Sequence, residues 1–252
     1  MAKTEHRFAC TGCGQCCHGW LPLTVKEAIA NADRFPLAIS ITPTRTGAPG
    51  QKALDRIGVP TILPPKRKIS LVITPISFIP PAMRCPELAD DNRCSIHAEK
   101  PLRCRTMPFY PYKDEDRQAE MLVPRKGWLC DTSDAAPVVY RDRKILDRTD
   151  FDKEEEAIID EVTKLRRYAD LVLKHNPPLL GRVSRAAQTP GGRVIVGFVS
   201  LLRYDRFIDL LAFAARQRPV LEDWMTKTAD DAKLAEHHDY YRDALADLDR
   251  YR

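Results

Sequence analysis

The last 122 residues of this 252-residue chain contain no cysteine, while all eight cysteines lie between positions 10 and 130. No stretch approaches the roughly 20 uninterrupted apolar residues that a membrane span requires, and the first eight residues hold no apolar run that could serve as a signal-peptide core. A cytoplasmic location and no membrane span are therefore expected. Thiols stay reduced in that compartment, so cysteines there read as metal ligands or catalytic thiols before disulfides. There is no long block of like charge: 40 Lys and Arg are interspersed with 35 Asp and Glu for a net charge of +5. A nucleic-acid partner is accordingly not expected. The sequence also lacks a phosphate-binding loop, a nucleophile elbow and paired metalloprotease histidines, and Gly191-Gly192 stands without the rest of any phosphate motif. Internal repeats and low-complexity segments are absent.

With 44% hydrophobic and 30% charged residues, the composition is that of an ordinary folded protein, and the length suffices for a buried core without disulfide staples. The chemistry is concentrated in Cys10-Thr11-Gly12-Cys13-Gly14-Gln15-Cys16-Cys17, four thiols in eight residues. Cys-x2-Cys spacing lets two thiolates converge on one centre, and Gly12 and Gly14 permit tight turns whose N–H groups can face cluster sulfurs. The spacing of Cys10, Cys13 and Cys16 matches three ligands of a bacterial ferredoxin cluster. Cys85, Cys94 and Cys104 form a wider second group, followed by Cys130. Eight thiols make two sets of four, enough for two tetrahedral zinc sites or two four-iron clusters. A single cluster with spare cysteines is equally open. Because Cys16 and Cys17 are adjacent, their side chains diverge, so Cys17 is assigned to a second site or to a non-ligand role. A zinc ribbon would present two separated Cys-x2-Cys pairs, and the second is missing.

Secondary structure is legible in part. Thr24 and Glu27 form a capping box, with Leu23 and Ala28 as a hydrophobic staple, which predicts a helix over 25–34 ended by Pro36. The prolines and glycines of 40–65 predict a long connection with one helical turn over 53–57. Strands are expected at 69–74, before Pro75, and at 120–123 and 138–141. Ile158, Ile159, Val162, Leu165, Ala169, Val172 and Leu173 recur at helical spacing, predicting an amphipathic helix over 151–175, with further helices at 179–187, 204–216 and 232–249. The run 194–199 suits either a buried helix or a buried strand.

Three motifs appear in order: Phe8-x-Cys10-x2-Cys13-Gly14-x-Cys16-Cys17, then Cys85-Pro86-x-Leu88, then Cys94-Ser95-Ile96-His97-x2-Lys100-Pro101-x2-Cys104-Arg105-x2-Pro108-Phe109. Over about residues 8–130 the chain thereby resembles the CxxCxxCC zinc- or iron-chelating family, the YkgJ-like cysteine-cluster proteins. The resemblance implies a cysteine cluster binding iron-sulfur or zinc. A related branch includes the flagellin lysine N-methylase, where an iron-sulfur cluster supports methyl transfer; no distinct methyl-donor site is recognised here. Two positions depart from the commonest pattern, His97 in place of Tyr and Lys100 in place of Arg.

All eight cysteines, Cys10, Cys13, Cys16, Cys17, Cys85, Cys94, Cys104 and Cys130, are the expected metal and cofactor ligands. His18 and His97 are alternative ligands, read first as groups behind the ligands or on the surface. Arg105 is read as a hydrogen-bond donor to the cluster or a solvated charge, Lys100 and Arg103 more as solvated charges, and His237-His238 as facing solvent. Trp20 and Trp128 serve either as shields of the cluster or as plain core. The expected fold is α+β and mostly helical, with a cysteine-rich, short-strand half (1–142) covered by a helical half (143–252). The expected function is iron-sulfur binding, 4Fe-4S in one or two copies, serving electron transfer or a redox step for an unidentified redox or protein partner. Oxidoreductase activity stays open. The alternatives are a zinc-stabilised interaction module and an iron-sulfur-dependent protein lysine methyltransferase.

Overall fold

The computed structural model describes residues 5–45, 47, 50–205 and 208–251. Residues 1–4, part of the region expected to lack a signal core, lie outside it. So do 46, 48 and 49 of the expected connection over 40–65, and 206 and 207 of the expected helix over 204–216.

The elements run β1 (Glu5–Arg7), β2 (Leu21–Pro22), α1 (Val25–Ala30), β3 (Leu37–Arg45), α2 (Gln51–Ile57), β4 (Val59–Leu63), β5 (Arg67–Ser77), α3 (Leu102–Thr106), β6 (Val138–Arg141) and β7 (Lys144–Ile145). They continue with α4 (Thr149–His175), α5 (Pro177–Ala186), β8 (Val194–Gly197), α6 (Val199–Leu202), α7 (Leu210–Thr228) and α8 (Ala235–Leu248). Helix content dominates, and the class is α+β, as the sequence predicts.

The N-terminal half is more of a sheet than its prolines suggest. Two long strands lie where a connection and a short strand were expected: β3, nine residues, and β5, eleven, pair along their whole length from Leu37↔Ser77 to Arg45↔Ile69. The prolines fit because each sits where a missing N–H costs no ladder bond. Pro43 follows the end of the β3–β8 ladder, which stops at Ile41↔Val194, and Pro60 lies on β4, which pairs only with β5. Pro75 stays within β5 because its carbonyl, and with it the absent donor, points away from β3 to accept the Leu23 N–H at 2.9 Å. The ambiguous run at 194–199 resolves into both alternatives, strand β8 and then the start of α6. β8, from the C-terminal half, is thus an edge of the N-terminal sheet, whose order is β2-β5-β3-β8 with β4 also on β5.

Continuous buried runs in β3 and β5 show a sheet covered on both faces. The main core joins Ile39, Ile41, Leu71 and Ile76 of the sheet to Leu165, Tyr168 and Leu173 of α4, Val183 of α5, Phe213 and Trp224 of α7, and Tyr241 of α8. A smaller core of Phe8, Phe109, Leu122, Tyr140, Ile145 and Phe151 lies under the second sheet, β1-β6-β7. The strand expected at 120–123 is instead the end of a 3-10 helix, Glu115–Leu122. Its buried Gln118 exchanges hydrogen bonds with the backbone of Tyr110 and donates to the Lys113 carbonyl, which fixes the turn locally. The helix expected over 204–216 begins only at Leu210, capped by Asp209, and runs past Pro219 to Thr228. Among the described residues no helix is long and apolar enough to cross a membrane.

Candidate metal centre

The tight cysteine group forms an irregular loop whose shape depends on glycine. Gly14 is buried with φ at +71°, and a Cβ there would meet the Leu88 side chain and Asn92 Cβ, both at 3.2 Å. Gly19 has φ +73°, and its Cβ would lie 3.1 Å from Pro81 Cα. L-residues rarely adopt this conformation, so glycine lets the loop turn and seat closely against the segment that carries Cys85 and Cys94. The Cys17 N–H closes the turn on the Gly14 carbonyl at 2.9 Å.

Each end of this loop is fastened to a distant cysteine. At the first end, Ala9 and Asp131 exchange backbone hydrogen bonds at 2.8 and 2.9 Å, and the Thr11 hydroxyl donates to the Leu129 carbonyl at 3.0 Å. Cys10 and Cys130 sit between these fastenings, opposite one another. At the other end, the Cys85 N–H donates to the Cys17 carbonyl at 2.8 Å, His18 bridges Arg84, and the Gly19 N–H donates to the Met83 carbonyl at 3.1 Å. Cys94 returns to this region through a small hairpin in which Leu88 bridges Cys94 and the Ser95 N–H donates to the Glu87 carbonyl at 2.9 Å. Cys104 lies in the middle of α3.

All eight thiols are free; Cys10 and Cys16 are exposed and the others half-buried. Hydrogen bonds from the backbone, first at Gln15 and then at Leu129, hold the Cys13 thiol below its ordinary range. Cys16 is pushed up chiefly by its hydrogen bond with Cys17, then by burial. The same bond lowers Cys17, against burial and repulsion from Cys104, Cys85 and Cys94. Burial pushes Cys85 up to about 11 and Cys104 up to about 12, with repulsion from other thiolates adding to both. Cys130 is raised by burial, then by Cys13, Cys10 and Cys16. Crowded thiols whose charged forms repel one another form a donor set suited to a soft cation, which would replace their protons and cancel that repulsion. The thiols are neighbours without converging: among the described residues no three His, Cys, Asp or Glu side chains stand ready to hold a metal ion.

Several polar residues depart from expectation. Arg103 is not a solvated charge; it is 5% exposed, paired with the buried Glu154 at 3.3 Å, and it donates to the Phe109 carbonyl. Arg105 does face solvent, but its guanidinium braces the preceding turn by donating to the Lys100 carbonyl at 3.0 Å and the Ala98 carbonyl at 2.9 Å. Lys100 is near enough to favour the Cys16 thiolate. His97 is exposed and His18 half-buried. Trp20 tilts onto Phe78 at 5.2 Å and joins the main core. His237 does not face solvent; it is 8% exposed and stacks on Phe78 with ring centroids 4.3 Å apart.

Sequence reasoning missed Glu154 altogether. It lies on the apolar stripe of α4 between Phe151 and Ile158, and a carboxylate in such a stripe is the signal that a buried partner exists.

Residues 9–126 match the model of the CxxCxxCC family, described as "Putative zinc- or iron-chelating domain". No curated protein and no solved structure matches the chain. Cys130 falls just outside the matched residues, and its place is known from the bridge between its neighbour Asp131 and Ala9.

Proposed function

We propose, from the CxxCxxCC zinc- or iron-chelating domain that residues 9–126 of this chain form, that the protein is a cytoplasmic iron-sulfur protein that transfers electrons or supports a redox step for a partner. The observation that carries this reading is the gathering of free thiols from four separate stretches of chain, the 10–17 loop, the 85–94 hairpin, α3 and the segment at Cys130, around one glycine-shaped loop. So many thiols whose charged forms repel one another serve no packing purpose. Thiolate sulfur is the donor that iron-sulfur clusters use, and a bound cluster supplies reversible one-electron chemistry.

The chain's own residues set the conditions for that chemistry. Backbone N–H groups at Gln15 and Leu129 already favour thiolate at Cys13, and hydrogen bonds to sulfur are what tune a cluster's potential. Arg105 keeps the Lys100 turn in place, and the Lys100 charge works in favour of the Cys16 thiolate. The exposure of Cys10 and Cys16 leaves the loop accessible to a redox partner.

The test is anaerobic purification of the full chain, with iron, acid-labile sulfide and zinc quantified and Mössbauer spectra recorded. Iron and sulfide in equal amounts, in brown protein, are expected. Colourless protein containing zinc and neither iron nor sulfide defeats the reading in favour of a zinc-stabilised module.

A further inference from the structure

The residues from Val123 to Leu129, just before Cys130, form a small fixed turn at the surface. Gly127, with φ at +88°, shapes it, and the Trp128 N–H closes it on the Arg125 carbonyl at 2.9 Å. One end is anchored by Leu122, buried in the small core. The other is anchored by Leu129, whose carbonyl accepts the Thr11 hydroxyl at 3.0 Å. The turn is thereby joined to the 10–17 loop between Cys10, which is exposed, and Cys13.

Val123 and Leu129, 71% and 67% exposed, are the two most exposed large apolar side chains among the described residues. Between them the Arg125 guanidinium lies 5.4 Å from the centre of the half-buried Trp128 ring, and among the described residues Trp128 joins no hydrophobic core. Neither Arg125 nor Lys126 forms an ion pair there. The carboxylates nearest along the chain are occupied, Glu120 by Lys113 and Arg117, and Asp131 by the Ser133 N–H. The turn therefore presents apolar surface, an aromatic ring and uncompensated positive charge together. Trp and Arg carry much of the energy of protein interfaces, and charges at the rim set the rate of association and its dependence on salt. A patch this small is too little for a permanent assembly and suits the limited, transient interfaces of electron carriers.

We propose that the turn from Val123 to Leu129 is the docking surface for an electron-carrier protein whose cofactor is rimmed by carboxylates. The acidic rim meets Arg125 and Lys126, and the carrier's apolar centre meets Val123, Trp128 and Leu129. One electron passes from the carrier's reduced cofactor to the iron held by the thiols beside the turn, with no bond formed or broken. The identity of this partner rests on the iron-sulfur reading above. An anionic lipid surface suits the turn less well, because the carboxylates of Asp131 and Asp134 follow closely in the chain and oppose adsorption to like charge.

The experiment titrates anaerobically purified full-length protein with an acidic flavodoxin by calorimetry, at about 0.05 M and about 0.5 M salt, with iron and sulfide quantified for every variant. Stopped-flow oxidation of the flavodoxin hydroquinone to its semiquinone gives the rate of electron transfer. Wild type is expected to bind at low salt and at least about tenfold more weakly at high salt. The double variant Arg125→Glu, Lys126→Glu is expected to lose at least about tenfold in affinity and in rate at low salt, with unchanged iron content and little salt dependence left. Val123→Ser is expected to lose several-fold at either salt, and Ile62→Ser, a side chain 65% exposed on β4, nothing. Absence of wild-type binding, or equal binding by wild type and the charge-reversed variant, overturns the docking surface. So does wild-type sedimentation with phosphatidylserine vesicles alongside indifference to flavodoxin, which would give the turn to a membrane. Salt-sensitive binding by wild-type protein that holds zinc and no iron keeps the surface and defeats the electron-transfer reading.

Discussion

Arg103 and Glu154 meet as a buried ion pair at 3.3 Å, one residue before Cys104, with side chains 5% and 3% exposed. Burial raises the Glu154 carboxyl above its usual range, and the Arg103 charge works against that rise. The guanidinium also lies over the Tyr110 ring, 5.2 Å from its centroid. The pair fastens α3, and with it Cys104, to the long α4. Replacing Glu154 by Ala strands a buried cation, a change that costs about 3–5 kcal/mol. We expect a correspondingly lower urea midpoint and faster loss of metal to a chelator. Unchanged metal retention in a folded Glu154→Ala protein would show that α3 is held by other contacts.

Glu27 joins the helix cap to the same helix from another side. Its carboxylate accepts the Thr24 N–H at 2.9 Å to complete the capping box, and its second oxygen accepts the Leu102 N–H at 2.6 Å, at the start of α3. Thr24→Ala removes only the cap, at a cost of about 1 kcal/mol. Glu27→Ala removes the cap's return bond and leaves the α3 N-terminus without its acceptor, so it is expected to destabilise by more than Thr24→Ala, by about a further 1 kcal/mol. Equal denaturation midpoints for the two variants would show that the Leu102 bond contributes nothing net.

Gln217 performs a similar service within the main core. Its amide accepts the Leu37 N–H at 3.0 Å and donates to the Ala32 and Phe35 carbonyls, both at 2.9 Å, which pins α7 to the entry of β3. Gln217→Leu leaves three buried backbone groups without partners, each worth about 1–3 kcal/mol. A fall of several degrees in thermal midpoint is expected, accompanied by accelerated hydrogen exchange at the Leu37 amide. Unaltered exchange there would refute the assignment.

What the sequence revealed and what it hid have one physical basis. The capping box of Thr24 and Glu27 and the stripe of α4 are local patterns, and both elements stand where those patterns place them, to within a few residues at their ends. β3 and β4 were illegible because Pro43 and Pro60 break a strand pattern in sequence, whereas their tolerance is decided by which flank is unpaired, a fact of the whole sheet. Glu154, Gln217 and His237 were misread or passed over for a shared reason. Each interrupts the apolar stripe of its helix, Glu154 between Phe151 and Ile158, Gln217 between Phe213 and Leu221, His237 four residues before Tyr241. Periodicity marks such a position as buried, but only the fold supplies the partner. The cysteine set was legible as a metal signal, while the seating of Cys130 beside the 10–17 loop depended on the pairing of Ala9 with Asp131 across 122 positions, which no spacing rule encodes.

His237 gives a prediction about pH. It is stacked on Phe78 with both ring nitrogens buried and without a hydrogen-bond partner, and burial holds its pKa below the ordinary value, against a weaker upward pull from Glu236. The folded chain therefore resists protonation at a pH where the unfolded chain accepts it. The contribution is complete above the unfolded value, near about 6.5, and is lost as pH falls from there through the lower folded value. His237→Phe keeps an aromatic ring against Phe78 and removes the proton site along with two unpaired buried nitrogens. The variant is expected to be at least as stable as wild type at about pH 8 and to gain on it as pH falls to about 5. Urea midpoints for both proteins across that interval give the answer directly. Parallel pH profiles would mean that His237 is protonated as readily in the folded chain as in the unfolded one.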